Sequence, residues 1–334
     1  MEAFAPGRVN LMGDHTDYTG GLVLPMAIDR GTTVIGARAG NDGIRLRSAE
    51  LPGEAVVPLD VSDPKVTEPP WARYVAGVVA AIKPSHGFVG QVSTTLPVGA
   101  GLSSSAALEL AVALALGFEG SALELAQACQ RAEQAASGVP CGVMDQLACA
   151  AGVEGHALLI DCAALTVTPV RLPDEVEVVV AHSGEGRRLA DSAYAERRRS
   201  CEAAEAEIGP LPRADLAAVA RITNAEVRAR ARHVVTENER VGAFVEALRA
   251  GDLVRCGALM AASHESLRTD FDVSTARLDE LAAELSSTAG VFGARLTGAG
   301  FGGCVVALTR PQALHVGWRV RAVNGARVVT DRKG

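Results

Sequence analysis

The sequence has only three lysines, Lys65, Lys83 and Lys333, and none of them lies in a Gly-Lys-Ser or Gly-Lys-Thr sequence. A nucleotide site of the P-loop type is therefore excluded, since that loop uses such a lysine to hold phosphates. No strand-like run leads into a GxGxxG turn at the start of a helix, which excludes a dinucleotide fold. The net charge is −7, and no basic cluster offsets it. We therefore expect neither a nucleic-acid-binding protein nor a membrane-surface protein.

Paired cysteine motifs and long uncharged apolar runs are also missing. The chain has scattered cysteines without a CxxC or His/Cys ligand spacing: Cys129, Cys141, Cys149, Cys162, Cys201, Cys256 and Cys304. This pattern indicates reduced thiols in a cytoplasmic protein, mostly small core residues, and argues against a zinc site. The long Ala/Leu run lies mid-chain and contains Glu109, so we expect no signal peptide and no membrane span. A chain of 334 residues, 48% of them hydrophobic, is long enough for two globular domains.

One stretch, LPVGAGLSSSAAL at residues 96–108, combines glycines, serines and the start of a run that predicts a helix. Glycines let backbone N–H groups approach an anion closely, and a helix N-terminus adds unpaired donors and partial positive charge. The stretch therefore predicts a polyphosphate site, although an ordinary N-cap before a buried helix is the alternative. The candidate nucleotide contacts are Pro97, Gly99, Ala100, Gly101, Leu102, Ser103, Ser104, Ser105 and Ala106.

A short polar loop with Asp14, His15 and Asp17 lies between two apolar, strand-like runs near the N-terminus. Burying two carboxylates and an imidazole is costly, so these groups are either solvated or bind something polar. Carboxylates accept hydrogen bonds from hydroxyl groups, which suits a polyhydroxylated ligand. A metal cluster and a plain polar turn are the alternatives.

Two further carboxylates follow the phosphate loop. Glu133 lies near the end of a predicted helix at residues 121–137, and in isolation it reads as a solvent-facing helix charge. Asp145 lies in a predicted turn at residues 138–146, among apolar neighbours that indicate partial burial. A buried carboxylate needs a nearby cation, whereas a capping or turn aspartate does not.

A glycine-rich motif, GARLTGAGFGGC at residues 293–304, matches GxGxxG literally but is followed by the strand-like run VVALT. Because a helix does not follow, the motif reads as a glycine-rich hairpin or loop between strands and not as a dinucleotide site. Four other conspicuous side chains receive structural roles. Trp71 and Tyr74 are expected in the core, and His233 and His264 on helix faces or at helix caps.

Three motifs of this chain carry a family resemblance. GRVNLMGDHTDYTGG at residues 7–21 is similar to the N-terminal signature of galactokinases. The stretches at residues 96–108 and 293–304 resemble the phosphate motif and the third motif of the wider family of galacto-, homoserine, mevalonate and phosphomevalonate kinases, the GHMP kinases. The resemblance implies an α+β fold of two domains, 1–175 and 176–334, the first ribosomal-protein-S5-domain-2-like and the second ferredoxin-like. The active site is expected in the cleft between them, with the third motif folded back against the phosphate loop.

The same resemblance implies an ATP-dependent kinase for the anomeric C1 hydroxyl of galactose. Arg8 would stabilise the transferred phosphoryl group, and Asp145 would orient the C1 hydroxyl and accept its proton. Because a carboxylate beside a cation holds its charge, proton transfer is expected late in the reaction. Ser105 and Glu133 would ligate Mg²⁺, which needs few protein oxygens when it bridges phosphates. The implied sugar contacts are Asp14, His15, Asp17, Gly142 and Tyr194.

One position departs from the galactokinase pattern. Asp14 stands where these enzymes usually carry glutamate, so its carboxylate is pulled back by one C–C bond, ~1.5 Å. Such a difference breaks a direct contact unless the loop or a water compensates, and we expect a raised KM for galactose compared with an Asp14→Glu variant. The expected partners are galactose and ATP, bound by a monomer. Two alternatives stay open: a related kinase for arabinose, N-acetylgalactosamine or a uronic acid, and a sensor of galactose and ATP without turnover.

Overall fold

The computed structural model describes residues 1–40, 42–97, 99–186 and 190–329. Its strands, in chain order, are β1 (Glu2–Asn10), β2 (Leu22–Val23), β3 (Pro25–Ala39), β4 (Ile44–Ser48), β5 (Glu54–Val57), β6 (Gly87–Thr94), β7 (His156–Asp161), β8 (Thr166–Arg171), β9 (Glu177–His182), β10 (Val291–Thr297), β11 (Cys304–Thr309), β12 (Trp318–Val320) and β13 (Arg327–Val328). Its helices are α1 (Ala72–Ile82), α2 (Ser104–Ala115), α3 (Ala122–Ser137), α4 (Met144–Ala151), α5 (Ala190–Ile208), α6 (Leu216–Val219), α7 (Ala225–Ala250), α8 (Leu253–Thr269) and α9 (Ala276–Ser286). Mixed sheets and separate helices confirm the α+β class. Over the described residues, no helix combines the length and apolarity needed to cross a bilayer.

A six-stranded sheet carries the first functional residues. Its strand order is β13-β1-β3-β6-β4-β5, antiparallel except for the parallel β4–β6 pair. The pairing of β1 with β3 shifts register between Pro6 and Arg8. Such irregularities re-aim side chains, and here the backbone N–H of Arg8 donates to the Leu102 carbonyl at 3.2 Å. The shift therefore joins β1 to the predicted phosphate loop.

Small residues let the helices of this half pack closely. The alanine-rich helix α2 packs against β1 and β3, and α1 and α3 pack against each other beside it. A Cβ added at Gly77 of α1 would overlap the backbone carbonyl oxygen of Ala132 on α3. The N-terminus of α3 is fixed by a capping box, in which Ser121 and Glu124 each accept the other's backbone N–H. The approach of α3 to the sheet places Glu133 near the phosphate loop.

A four-stranded antiparallel sheet, ordered β10-β11-β9-β12, organises the second half of the chain. Helices α8 and α9 pack on β10, and α8 comes so close that a Cβ on its Gly257 would overlap the Phe292 carbonyl oxygen. Leu267, Phe271 and Leu296 belong to a core of this half that is separate from the core under the six-stranded sheet.

The chain's last described segment returns to the first sheet. Strand β13 pairs with β1, and a single bridge joins Ile28 to Ala322. The four-stranded sheet takes its first strand in the sequence from Glu177–His182, just after the expected boundary. We still propose that the boundary between the two domains lies between residues 175 and 176. Strand β13, although it comes from the end of the chain, belongs to the six-stranded sheet of the first domain.

Candidate active site

Arg8 and Asp145 form a bidentate ion pair against the phosphate loop. Arg8 Nε donates to Asp145 Oδ1, and Nη2 donates to Oδ2, each at 2.8 Å, while Nη1 donates to the Gly101 carbonyl at 2.7 Å. The Arg8 side chain is 5% exposed and that of Asp145 is 30% exposed. Burial lowers the pKa of Arg8, but the Asp145 charge and hydrogen bond outweigh it, so the net pKa is raised. The cation expected beside a buried Asp145 is present.

Asp145 lies on a helix, so its predicted place in a turn is wrong. Helix α4 begins at Met144, and the partial positive charge of its first turn favours a carboxylate. Ser103 Oγ donates to Asp145 Oδ2 at 2.6 Å. Ser103 holds the N-cap position of α2 with a φ of 58° but makes no side-chain capping bond, so the ordinary N-cap alternative fails for its hydroxyl. Donors from Arg8 and Ser103 thus fix the Asp145 carboxylate in one orientation.

A cavity of about 220 Å³ opens beside this ion pair. We call it the sugar cavity; it is lined by Arg8, Asp14, His15, Asp17, Glu133, Val139, Cys141, Gly142, Met144, Asp145, Tyr194, Gly298 and Ala299. All five predicted sugar contacts line it, although they come from three segments far apart in sequence. Its wall of carboxylates, a guanidinium and a phenol suits a small ligand with many hydroxyl groups.

Asp17 and Gly142 face each other across a very short gap. A Cβ added at Gly142 would overlap the Asp17 carboxylate, so only glycine leaves that carboxylate in place. Burial, followed by the charge of Asp145, raises the pKa of Asp17 to about 7. A sugar hydroxyl that donates to Asp17 would replace part of the lost solvation.

Asp14 is buried and bound on both of its oxygens. Its Oδ2 lies 2.6 Å from Arg295 Nη2, and its Oδ1 accepts from the Gly298 backbone N–H at 2.9 Å. Burial raises the pKa of Asp14, and the Arg295 charge opposes that rise. The plain, solvated polar turn is therefore excluded. Sequence reasoning missed Arg295, because the motif that contains it was interpreted through its glycines.

Aromatic rings close one side of the sugar cavity. The Tyr194 ring lies 5.7 Å from that of His15 and 5.4 Å from that of Tyr18. His15 has a φ of 66°, and its ring nitrogens contact Tyr18 Oη and the Ala299 carbonyl, each at 3.1 Å. Burial raises the pKa of Tyr194, so its phenol stays neutral and can donate. Tyr194 lies on helix α5, which begins at Ala190.

Ser105 contacts Glu133, which lines the sugar cavity. Ser105 Oγ donates to Glu133 Oε1 at 2.8 Å, and Gln146 Nε2 donates to Glu133 Oε2. Burial, with the Asp145 charge second, raises the pKa of Glu133 to about 7. Glu133 is therefore not a solvent-facing helix charge. Within the described ranges, no three His, Cys, Asp or Glu side chains converge as a metal cluster.

A second, more apolar cavity of about 530 Å³ adjoins the first at this serine–glutamate pair. We call it the nucleotide cavity; it is lined by Thr32, Ser48, Glu50, Leu51, Pro70, Trp71, Arg73, Tyr74, Val92, Thr94, Gly99, Ser104, Ser105, Leu108, Ala136 and Ser137. Trp71 is 8% exposed, so its core placement is confirmed, yet Trp71 and Tyr74 also form a cavity wall. The sequence analysis gave no role to Glu50 and Arg73, which the fold places at the wall of this cavity.

The rest of the phosphate stretch shapes the loop. Ala100, Leu102 and Ala106 are buried, and the Ala100 N–H donates to the Pro97 carbonyl at 3.3 Å. Gly99 has a φ of 77°, a conformation that suits glycine. Val98 lies outside the described residues.

The glycine-rich motif forms the loop between β10 and β11, as a strand-flanked motif should. Its described contacts include the polar loop with Asp14, His15 and Asp17, which we call the sugar loop: Gly298 N–H donates to Asp14, and the Ala299 carbonyl contacts His15 Nε2. Its expected packing against the phosphate loop stays a prediction.

The cysteines and two histidines lie where the sequence placed them. Five of the cysteines are buried and two, Cys141 and Cys162, are partly buried. His233 lies on α7 and His264 on α8, and both contact protein groups.

Family models match the three motif regions in order. The galactokinase galactose-binding signature matches residues 1–38, the GHMP kinases N terminal domain residues 73–153, and the GHMP kinases C terminal model residues 244–316.

Whole-chain comparisons extend these matches. The galactokinase of Chloroflexus aurantiacus is 44% identical over 353 residues, covering 99% of this chain and 89% of that protein. The galactokinase of Homo sapiens is 40% identical, covering 92% of this chain and 83% of that protein. The crystal structure of the Lactococcus lactis galactokinase, complexed with galactose, superposes with a TM-score of 0.89 at 32% identity, covering 98% of this chain and 95% of that one. This chain therefore belongs to the galactokinases of the GHMP kinase family.

Proposed function

We propose that this chain transfers the γ-phosphoryl group of ATP to the C1 hydroxyl of galactose, giving galactose 1-phosphate and ADP. One observation carries the proposal. The Arg8–Asp145 ion pair lines a polar cavity that meets a larger, more apolar cavity at the Ser105–Glu133 contact. A sugar in the first cavity and a nucleotide in the second would meet at this junction. The galactokinase relatives and the galactose-bound Lactococcus lactis enzyme support galactose as that sugar.

Asp145 is the group that orients the acceptor hydroxyl. Its carboxylate already accepts from Arg8 and Ser103, and it is 30% exposed, so an oxygen lone pair remains for a sugar hydroxyl. In phosphoryl transfer the bond to the leaving group is largely broken before the new bond forms, so the C1 proton need not leave early. Asp145 therefore acts first as a hydrogen-bond acceptor and takes the proton as the new P–O bond forms.

Arg8 and the phosphate loop neutralise charge. In the transition state, negative charge spreads over the phosphoryl oxygens. Preorganised hydrogen-bond donors therefore stabilise the transition state more than they stabilise the ground state. Arg8 is held between Asp145 and the Gly101 carbonyl, so it needs no reorganisation during the reaction. The start of α2 at Ser104 adds unpaired backbone N–H donors at the wall of the nucleotide cavity.

Ser105 and Glu133 fit a magnesium ion that arrives with the nucleotide. A hydroxyl and a carboxylate lie 2.8 Å apart between the two cavities, and burial raises the pKa of the carboxylate although the Arg8 charge opposes that rise. Hard oxygen ligands of this kind suit Mg²⁺, which retains waters and phosphate oxygens as its other ligands. Bound there, the ion would neutralise phosphate charge.

Asp145→Asn tests the proposal. Turnover is measured as ADP release with galactose, and the product is identified as the 1-phosphate. We expect kcat to fall by at least about 100-fold, because the amide cannot take the proton. Asp174→Asn, an exposed acid paired with Arg171, is the control and should change neither kcat nor KM. Near-normal turnover of Asp145→Asn would contradict the assigned role.

The alternatives are separated by the same assay. Faster turnover of arabinose, N-acetylgalactosamine or a uronic acid than of galactose would reassign the substrate, and galactose binding without ADP release would indicate a sensor. We also propose a cytoplasmic location, based on scattered cysteines without paired motifs, and a monomer, which light scattering would test.

A further inference from the structure

A group of buried charges lies behind the sugar cavity, and the mechanism above does not use it. Arg295 on β10 is fully buried, as is Glu237 on α7, and Asp14 at the end of the sugar loop is 1% exposed. Arg295 Nη2 lies 2.6 Å from Asp14 Oδ2 and 3.8 Å from Glu237 Oε1. Burying a charge is costly unless a charge of opposite sign lies beside it. The three side chains are therefore held in an arrangement that keeps each charge close to a partner.

Each carboxylate of this group holds the sugar loop to the second half of the chain. Glu237 accepts from the Gly13 N–H at 2.9 Å and from Ser263 Oγ. Arg295 Nη1 donates to the Leu11 carbonyl at 3.2 Å. The backbone on both sides of Asp14 is thus bound to the same group of charges.

The direction of the Asp14 carboxylate follows from these contacts. Arg295 Nη2 lies beside Oδ2 and the Gly298 N–H donates to Oδ1, while Asp14 also lines the sugar cavity, so a sugar hydroxyl there would donate to a lone pair that these two groups leave open. Burial raises the pKa of Asp14, and Arg295 is the first group that opposes the rise. Without the guanidinium, Asp14 would lose both its fixed direction and part of its capacity to accept.

We infer that Arg295 is a positioning residue for the sugar: its guanidinium aims the Asp14 carboxylate at one hydroxyl of the bound hexose. The inference rests on the proposed function, because it assumes that the sugar occupies the cavity that Asp14 lines. Arg295 itself does not line that cavity within the described residues, so its effect passes through Asp14.

The test compares Arg295→Lys, Asp14→Asn and the double variant in the ADP-release assay. Lysine keeps the charge but not the guanidinium geometry. We expect Arg295→Lys to raise the KM for galactose about tenfold or more, with kcat and the KM for ATP within about twofold, since one close ion-pair contact with Asp14 is altered. In the Asp14→Asn background, the same change should raise KM by less than about twofold.

Arg240→Lys is the matched control. Arg240 Nε donates to the same Glu237 at 2.7 Å but makes no described contact with Asp14. If the buried charges only stabilise the fold, both lysine variants should be less stable than the unmodified protein, and neither should have a changed KM for galactose. An unchanged KM in Arg295→Lys, or an equal rise in the Asp14→Asn background, would overturn the inference.

Two further measurements keep the outcomes separate. Galactose turnover by the unmodified protein is measured first, and its absence would count against the proposed function and not against Arg295. Should Arg295→Lys not fold, the charge-neutral variant Arg295→Met/Asp14→Asn is compared with Asp14→Asn. Equal KM values support the inference, and a further tenfold rise contradicts it.

Discussion

At the scale of single residues, three carboxylates of one site have different surroundings. Asp17 and Glu133 are buried near the Asp145 charge, and their pKa values are raised to about 7. Asp145 is held by Arg8 and Ser103. Burial is the main cause of both raised pKa values, so each group would benefit from a ligand: a hydroxyl donor for Asp17 and a cation for Glu133.

Galactose binding should weaken as the pH falls through about 7. An ionised Asp17 accepts from a sugar hydroxyl better than a protonated one, and its pKa is raised to about 7 by burial first and by Asp145 second. Between pH 8 and pH 6 the KM for galactose should rise by about tenfold. Steady-state kinetics at several pH values measures this change. In Asp17→Asn the rise should disappear, and a rise that persists would assign it to another group.

The Asp14→Glu variant should lower the KM for galactose. The added methylene carries the carboxylate ~1.5 Å toward the sugar cavity, where Asp14 now forms part of the wall. The same change disturbs the 2.6 Å contact with Arg295, so the free energy of unfolding should fall by about 1–3 kcal/mol. Kinetics and urea unfolding measure the two effects. An unchanged KM with every sugar tested would mean that this side chain makes no direct sugar contact.

At the scale of elements, glycine sets the distance between α1 and α3. Gly77→Ala should destabilise the protein by about 1–3 kcal/mol, because the new methyl group overlaps the Ala132 carbonyl and the helices must separate. Gly242→Ala on α7 is the control, since a Cβ there meets no atom within 4 Å. Gly242→Ala should be more stable than the unmodified protein by about 0.5–1 kcal/mol, because alanine has the higher helix propensity. Urea unfolding distinguishes the two, and equal shifts would contradict the close packing.

At the scale of the whole molecule, the two halves are joined through buried polar groups. His233 on α7 contacts the Asp14 carbonyl at 3.1 Å and Ser266 Oγ at 2.9 Å. Burial lowers the pKa of His233 to about 4. Glu237 has a pKa lowered to about 2, since Arg295 and its other charged neighbours outweigh its burial. Acid should therefore weaken the contacts that hold the sugar loop to the second half.

Comparison of the unmodified chain with His233→Gln isolates this effect. The folded state keeps His233 neutral, whereas the unfolded chain binds a proton near pH 6.5, so its contribution is full above pH 6.5 and is lost as the pH falls to about 4. The difference in unfolding free energy between the two proteins should change by about 3 kcal/mol over that range. Asp17 and Glu133 have raised pKa values and act in the opposite direction, which is why the variant comparison is needed. A constant difference would contradict a buried neutral His233.

The sequence predicted those parts of the site that lie within continuous motifs. The phosphate stretch, the polar loop with Asp14 and Asp17, and the helix that carries Glu133 all rest on local patterns of glycine, charge and apolar spacing. Residues whose role depends on distant partners were missed. Arg295 stands among glycines, and Tyr74 looks like any core aromatic on a helix, so nothing local distinguishes a cavity wall from a packed interior.

The family motifs of the sequence thus predicted the fold class, and local spacing predicted the chemistry available: glycine turns before a helix for phosphate, and clustered carboxylates for hydroxyl groups. Only the tertiary structure decided which groups meet. Arg8 reaches Asp145 over 137 residues, and Asp14 reaches Arg295 across the two halves of the chain. The physical reason is that local patterns depend on neighbouring residues, whereas the charge, direction and pKa of a buried side chain depend on partners that the fold brings from distant segments.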